Sequence, residues 1–434
     1  MAQFNDLTTL NGLFKDVYAS EIYNMIPSVA KLQDIIKFIG RQYQEGNQYV
    51  QPLVLQLEHG ISYGSPEDGA FDLNASISGV VKHARVRGAQ LLLRTSVAYD
   101  VLARSQNNAG AFAQATKFIV QAMTESMAKK YEVEIFYGQD NIGVIASVND
   151  IAPTAPLVGG VATDGAPQAA LPGDLVSAAD FIVIEEGEWA SGIFCGAKGM
   201  KLDIRNAADS AKIQTVTVKA VDFDTRRIYT EEDLLSSVIA GCILKPYNAH
   251  GKQAAGLVKI MSNVGTLFEI DASQYELWKG NVVSSVGVLD FEKLTKFLSK
   301  PIEKGLDKDV VAIVSPKTWA SLMKDQAALR MFDQSYSTKK LENGTMAIEF
   351  YSLNGKIEVH ASTYCKDGYA FVFAPEEFAR IGATDITFAL PGMPDQFLLQ
   401  SPDKAGYEMR CYVNAGLFTK SIGKTLLLKG ITHA

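Results

Sequence analysis

Apolar residues recur at helical spacing from Thr9 to Ile39, at Leu10, Leu13, Phe14 and Val17 and again at Val29, Leu32, Ile36 and Ile39, with Pro27 between the runs. The pattern predicts an amphipathic arm in two helical pieces. From 46 to 103 the pattern becomes strand-like: YVQPLVLQLE and AQLLLRTSVAYDVLA flank a Gly-, Ser-, Asp- and Asn-rich stretch from His59 to Gly79. This predicts a long two-stranded excursion with a polar tip, too thin to be stable alone and therefore resting on a neighbour. Its charges are segregated, with Glu58, Glu67, Asp68 and Asp72 toward the tip and Lys82, Arg85, Arg87 and Arg94 on the expected returning strand, and all of these but Arg94 are candidates for a subunit interface.

The strongest helical signal runs from Gly110 to Phe136, where Phe112, Ala115, Ile119, Met123, Met127, Tyr131 and Ile135 share one stripe. It predicts a rod of roughly 40 Å, ended by Gly138. Residues 151–175 are rich in Ala, Pro and Gly and read as a linker. The strand candidates FIVIEEG, GMKLDI, IQTVTVKAVD and RRIYT then predict a small β subdomain at about 176–255, inserted into the main fold. Beyond it, LDFEKLTKFLSKPIEKG reads as an amphipathic helix and DVVAIVS as a buried strand. PKTWASLMKD reads as a helix opened by Ser315 and Pro316. The remainder, from KIEVHAS to KTLLLKGI, is dominated by strands, so the fold class is α+β.

With 434 residues, 47% apolar and 21% charged, the chain can build a large core. Its formal charge of −7 argues against a protein that grips phosphate backbones. Nucleic acid nearby would be enclosed, not read. Cys195, Cys242, Cys365 and Cys411 lie far apart with no C-x-x-C pair, as expected of reduced thiols in a cytosolic protein. The N-terminus lacks a basic region followed by an apolar core, and no stretch approaches a membrane span, so neither export nor membrane insertion is expected.

Catalytic chemistry finds little support. His59, His83, His250, His360 and His433 are scattered, without an H-E-x-x-H or G-x-S-x-G companion. Gly423-Lys424-Thr425 resembles the end of a P-loop, but Phe418 stands where the first glycine belongs and TLLLKGI comes where a helix is needed. Gly159, Gly160 and Gly165 lie in a Pro-rich segment and read as loop glycines. No carboxylate pair stands out for hydrolysis, so a hydrolase with a β accessory domain is only a remote alternative. No catalytic residue, metal or cofactor is expected. Tyr275 and Trp278, in DASQYELWKG, are expected at a subunit interface or in the core.

The order of parts resembles the N-arm, E-loop, spine helix, axial domain and peripheral strands of tailed-bacteriophage major capsid proteins with the Hong Kong 97-like fold. The likeness is strongest at GTLFEIDASQYELWKGNVV, DVVAIVSPKTWASLM, QAALRMFDQSYS and GKIEVHASTYCKDGYAFVFAPEEFARIGATDITF. A β insertion similar to EWASGIFCGAKGMKLDI and VTVKAVDFDTRRIYT also occurs in a group of such proteins. The resemblance implies an arm at 1–45, an E-loop hairpin at 46–103, and a spine helix with peripheral-domain strands and linker at 104–175. It further implies an inserted β subdomain at 176–255, an axial domain with a connecting loop at 256–374, and returning peripheral and axial strands at 375–434.

For function, the resemblance implies a non-enzymatic shell protein of the virion, assembled in the host bacterial cytoplasm into pentamers and hexamers around double-stranded DNA without sequence-specific binding. A separate scaffolding protein, a portal and in some cases a decoration protein would be its partners, and no membrane. Ring contacts would fall to a loop of the axial domain carrying Phe332, Tyr336, Lys339 and Lys340, since rings of five and six are heterologous interfaces that must close. Procapsid maturation by subunit rotation is implied as well. An encapsulin-type nanocompartment, which encloses enzymes in place of a genome, is the alternative within the same fold.

Overall fold

The computed structural model describes residues 30–40, 44–45, 48–67, 70–100, 109–149, 180–324, 348–352, 355–389, 399–401 and 404–433. The chain enters this description through a short helix, α1 (Lys31–Ile35), and a strand, β1 (Phe38–Ile39). Leu32 and Ile36 are fully buried, as the helical spacing predicted. The second helical piece nevertheless ends at Ile35, because Phe38 and Ile39 pair in parallel with β19 (Phe378–Thr387), far along the chain. The first helical piece lies outside the described residues.

The two-stranded excursion is shorter than its expected span of 46–103. β2 (Gln44–Glu45), β3 (Gln48–Gln56) and β4 (Val80–Val86) make an antiparallel sheet of three strands, and the long excursion consists of β3, β4 and the tip between them. β5 (Ala89–Ala98), expected as the returning limb, pairs along its whole length with β21 (Gly406–Thr419), which also pairs with the short β20 (Leu399–Gln400). The physical reason is burial. Across the β5–β21 pair, Val97, Met409, Cys411 and Val413 bury a row of apolar side chains that a free ribbon would leave wet.

That row packs against α2 (Ala109–Tyr137), the expected rod. Ile119, Met123, Met127, Tyr131 and Ile135 are all buried. The side chains of Phe112 and Ala115 lie outside the described residues. The helix stops before Gly138, where a Cβ would collide with the Ala254 carbonyl oxygen, so glycine lets a later segment cross the helix end.

Immediately afterwards comes β6 (Gly143–Asn149), and here the expected boundary of the β subdomain at 176 fails. β6 joins β7 (Phe181–Ile184), β8 (Lys201–Arg205), β9 (Lys212–Asp222), β10 (Arg227–Thr230) and β11 (Ile243–Pro246) in a closed barrel of order β10-β7-β6-β11-β8-β9. A barrel needs a partner for every edge. Asn149 pairs with Phe181, so the strands on either side of residues 150–179 lie side by side. The linker itself is outside the described residues.

The hairpin β12 (Thr266–Leu267) and β13 (Ile270–Asp271) comes next, and then a mixed sheet of order β14-β22-β18-β15-β17-β16. Its strands are β14 (Asn281–Val283), β15 (Val310–Val314), β16 (Ile348–Ser352), β17 (Gly355–Ala361), β18 (Tyr369–Phe373) and β22 (Leu426–Lys429). Val311, Ile313, Phe371, Phe373 and Leu427 enter the core that reaches α2 and the barrel. Val310, Ala312, Val314, Ala370, Val372, Leu426 and Leu428 enter a second core, closed by α3 (Phe291–Glu303) and α4 (Pro316–Met323). Burial on both faces is why VVAIV, YAFVF and LLL do not alternate. Ser315 caps α4 as expected, its Oγ accepting from the Thr318 N–H at 3.2 Å.

Candidate subunit interface

Between Val54 and Val81 the excursion reverses the ordinary distribution of side chains. Tyr63 is 87% exposed, Leu73 81% and Leu57 70%, with Ile61, Phe71 and Ile77 also open. The tip was expected to be polar. Its sequence is polar on average, but the backbone turns the apolar side chains outward, since two limbs without a third layer have no inside. The limbs hold each other through a few polar bonds: His59 N–H donates to the Ile77 carbonyl at 3.1 Å, and the Asn74 side-chain amide donates to the Ile61 carbonyl at 2.8 Å. Several large apolar side chains left open on one excursion make it a candidate for contact with another molecule.

The root of the excursion is fixed, unlike its tip. Tyr49, Ala84 and Val86 are buried, and the Tyr49 ring lies 5.2 Å from that of Phe418. Phe268 packs beside both Phe418 and Trp278. Phe268 and Glu269 form the two-residue turn between β12 and β13 with φ of 53° and 68°, a left-handed pair that normally selects Asn and Gly. What holds the strained turn is the excursion: Arg85 N–H donates to the Phe268 carbonyl at 3.1 Å, and the Arg85 side chain reaches Glu269 at 3.5 Å.

The arm is clamped where it joins the body. Glu132, fully buried on α2, accepts the Leu32 N–H at 2.8 Å, while the Gln33 side chain donates to its other oxygen at 3.3 Å. Arg380 on β19 donates to the Ile36 carbonyl at 2.8 Å and to the Gln33 carbonyl at 3.2 Å, with Asp385 in bidentate contact behind it. A carboxylate at the start of α1 and a guanidinium at its end satisfy the groups that a five-residue helix leaves open. Burial pushes the Glu132 carboxyl up to about 7, against the lowering effect of its hydrogen bonds.

A second polar seam joins α2 and the barrel to the mixed sheet. Lys366, with no exposed surface, donates to Glu188 at 2.5 Å and to the Asn141 side chain at 2.8 Å, and lies over the Tyr137 ring at 4.7 Å. Tyr369 O–H donates to the other Glu188 oxygen at 2.6 Å. Burial alone would raise Glu188, but the Lys366 charge and these hydrogen bonds outweigh it and hold the carboxyl below its ordinary value.

The expected interface residues therefore divide. Glu58, Glu67, Asp72, Lys82, Arg85 and Arg87 are exposed on the excursion or at its root, though Arg85 already has Glu269 as a partner. Arg94, which was expected on the returning strand and was not an interface candidate, sits on β5. Trp278 is a core residue and not an interface one: it is 1% exposed, and its ring N–H donates to the Leu267 carbonyl at 3.0 Å. Tyr275 is half-buried against the same core. Asp68, Phe332, Tyr336, Lys339 and Lys340 lie outside the described residues. Glu132, Arg380, Glu188 and Lys366 were missed, although a carboxylate inside the apolar run YEVEIFY is a readable sign of a buried partner. Among the described residues no three His, Cys, Asp or Glu side chains come together as a metal site, and no helix is long and apolar enough to cross a membrane.

No family model and no curated protein matches the chain. Among solved structures, the capsid protein of cyanophage A-1(L) matches with a TM-score of 0.53 at 11% identity, over 97% of this chain and 98% of that one. The fold is that of a phage capsid protein. The capsid of a native gene-transfer-agent (GTA) particle aligns over 99% of this chain and 100% of that one at 8% identity, with a TM-score of 0.48. An encapsulin from Synechococcus elongatus aligns over 99% and 96% at 9% identity and 0.39.

Proposed function

We propose that the chain is the major capsid protein of a tailed bacteriophage, a non-enzymatic subunit that assembles into the pentamers and hexamers of an icosahedral head around double-stranded DNA. In this reading the fold is Hong Kong 97-like, α2 is the spine helix, β3 and β4 with their tip are the E-loop, the sheet of β5, β19 and β21 belongs to the peripheral domain, and the mixed sheet is the axial domain. The barrel is an insertion that borrows its first strand from the end of the spine. The observation that supports the reading best is the excursion itself, which carries exposed apolar side chains on a fixed root with nothing among the described residues to cover them.

Assembly in the bacterial cytoplasm, a separate scaffolding protein, a portal, a decoration protein and procapsid maturation belong to the same reading. Its test is negative-stain microscopy of the purified protein with and without co-expressed scaffolding protein. Closed shells of uniform size, filled with DNA when the packaging machinery is supplied, are the expected result. A monodisperse monomer at high concentration with scaffold present would overturn it, and shells that fill with an enzyme cargo would shift it to a nanocompartment.

A further inference from the structure

The backbone enters the barrel through residues 138–142, which lead from α2 into β6, and leaves it through residues 247–256, which lead away from β11. These two connections are tied together. Gly256 N–H donates to the Gly138 carbonyl at 2.9 Å, and the Gln139 side-chain amide donates to the Gln253 carbonyl at 2.9 Å. Beside them, on the last turn of α2, stands Glu134, only 8% exposed, whose Oε2 accepts from Gln253 Nε2 at 2.7 Å. Glu134 Oε1 and Gln253 Oε1 are buried as well, and neither has a donor among the described residues. An ionised carboxylate and an amide oxygen both only accept, so neither can satisfy the other unless the carboxyl carries a hydrogen.

We propose that Glu134 is a carboxylic acid in the folded chain and donates from Oε1 to Gln253 Oε1, closing with the Gln253 N–H a ring of two hydrogen bonds that locks the neck of the barrel to the spine-like helix α2. Loss of the proton breaks one bond and sets two acceptors against each other, so the neck loosens as pH rises. The surroundings of Glu134 favour the neutral form. The exit connection offers it Gln253 and the Ala254 N–H, and α2 itself offers Tyr131 one turn earlier, with Arg380 and Asp385 of β19 behind that ring. Lys31 and Asp34 belong to the clamp at Glu132, Arg94 and Arg410 both contact Glu408, and Lys259 on the helical turn Leu257–Met261 is exposed. Burial pushes the Glu134 carboxyl up to about 7, against the lowering effect of the Gln253 and Ala254 hydrogen bonds.

The test uses the full chain carrying Glu132→Gln, which removes the other carboxyl raised to about 7 on α2. The infrared difference between this protein and the same protein with Glu134→Gln is expected to show a protonated carboxyl band at about pH 6 that gives way to carboxylate bands by about pH 8. Gln253→Met should move that band to higher frequency, because the acid loses the oxygen to which it donates. Amide exchange at 253–256, corrected for its intrinsic pH dependence, should lose protection by up to about tenfold per pH unit between the ordinary carboxylate range and about 7. Glu134→Gln can form the same ring amide to amide and has no proton to lose, so its protection should stay level with pH. Carboxylate bands at both pH values, as an ionised Glu134 bridged to Gln253 by water would give, would overturn the proposal. So would a band that Gln253→Met leaves in place. Should Glu134→Gln fail to fold, the titration of the band and its response to Gln253→Met decide alone.

Discussion

The excursion tip and the seam around Lys366 invert the usual order in opposite directions. The tip carries Leu57, Tyr63 and Leu73 into water, and the seam carries Lys366 and Glu188 out of it. Each inversion is compensated differently. Every charged group of the seam finds its partner within the chain, so the seam belongs to folding. The apolar groups of the tip find none among the described residues, in keeping with the proposed part of the tip in association. The fixed root at Tyr49 and Phe418 separates the two regimes.

The largest expected effect comes from breaking the seam. Lys366→Met removes the cation and leaves Glu188 buried against Tyr369, which should destabilise the monomer by about 3–5 kcal/mol. Adding Glu188→Gln should recover much of the loss, since the uncompensated charge then disappears. Urea unfolding of the two single variants and the double variant measures the coupling. Additive losses would mean that the two residues act independently and that the seam is not one unit.

Next in size is the clamp on the arm, which shares the seam's burial but has the opposite pH dependence. With its carboxyl raised to about 7, Glu132 holds a proton in the folded state that it releases when unfolded. Its contribution is therefore fully present below the ordinary carboxylate range and is lost as pH rises through about 7. Glu188, held low, contributes above the ordinary range and loses its contribution as pH falls through its depressed value. Glu132→Gln keeps an oxygen for the Leu32 N–H and cannot ionise. The variant should gain up to about 3 kcal/mol over the parent at pH 8 and little at pH 5. Thermal unfolding at both values checks this, and an equal gain at both would exclude titration of Glu132 as the cause.

How much of this was readable in the sequence depends on the range of the interaction. The stripe of α2 and the Ser315 cap are local periodicities, and they stand where the spacing put them. The alternation of AQLLLRTSVA is the same whichever strand it pairs with, so β5 could be read as a strand but not assigned to β21. β6 was lost to the barrel for the same reason, since its partner β7 lies beyond residues 150–179. For Trp278, residue type alone leaves core and interface equally open. Only position decides, and position comes from the turn at Phe268. The polar expectation for the tip erred differently, by averaging over residues whose outward direction is set by the absence of a third layer.

The smallest expected effect on the isolated chain comes from the tip, and it separates the two regions most cleanly. Replacing Leu57, Ile61 and Leu73 together with Ser removes apolar surface that the monomer already leaves in water, so no burial is lost on folding. Surface changes of this kind move stability by within about 0.5 kcal/mol each. The root should stay intact, because Tyr49, Ala84 and Val86 are packed without help from the tip. Association should suffer instead, since the same side chains are those that a neighbouring subunit would bury. Urea unfolding of the monomer and sedimentation of assembly mixtures test the two halves separately. A monomer destabilised by several kcal/mol would show that the tip packs within its own chain, whereas unchanged assembly would move the contact surface elsewhere on the fold.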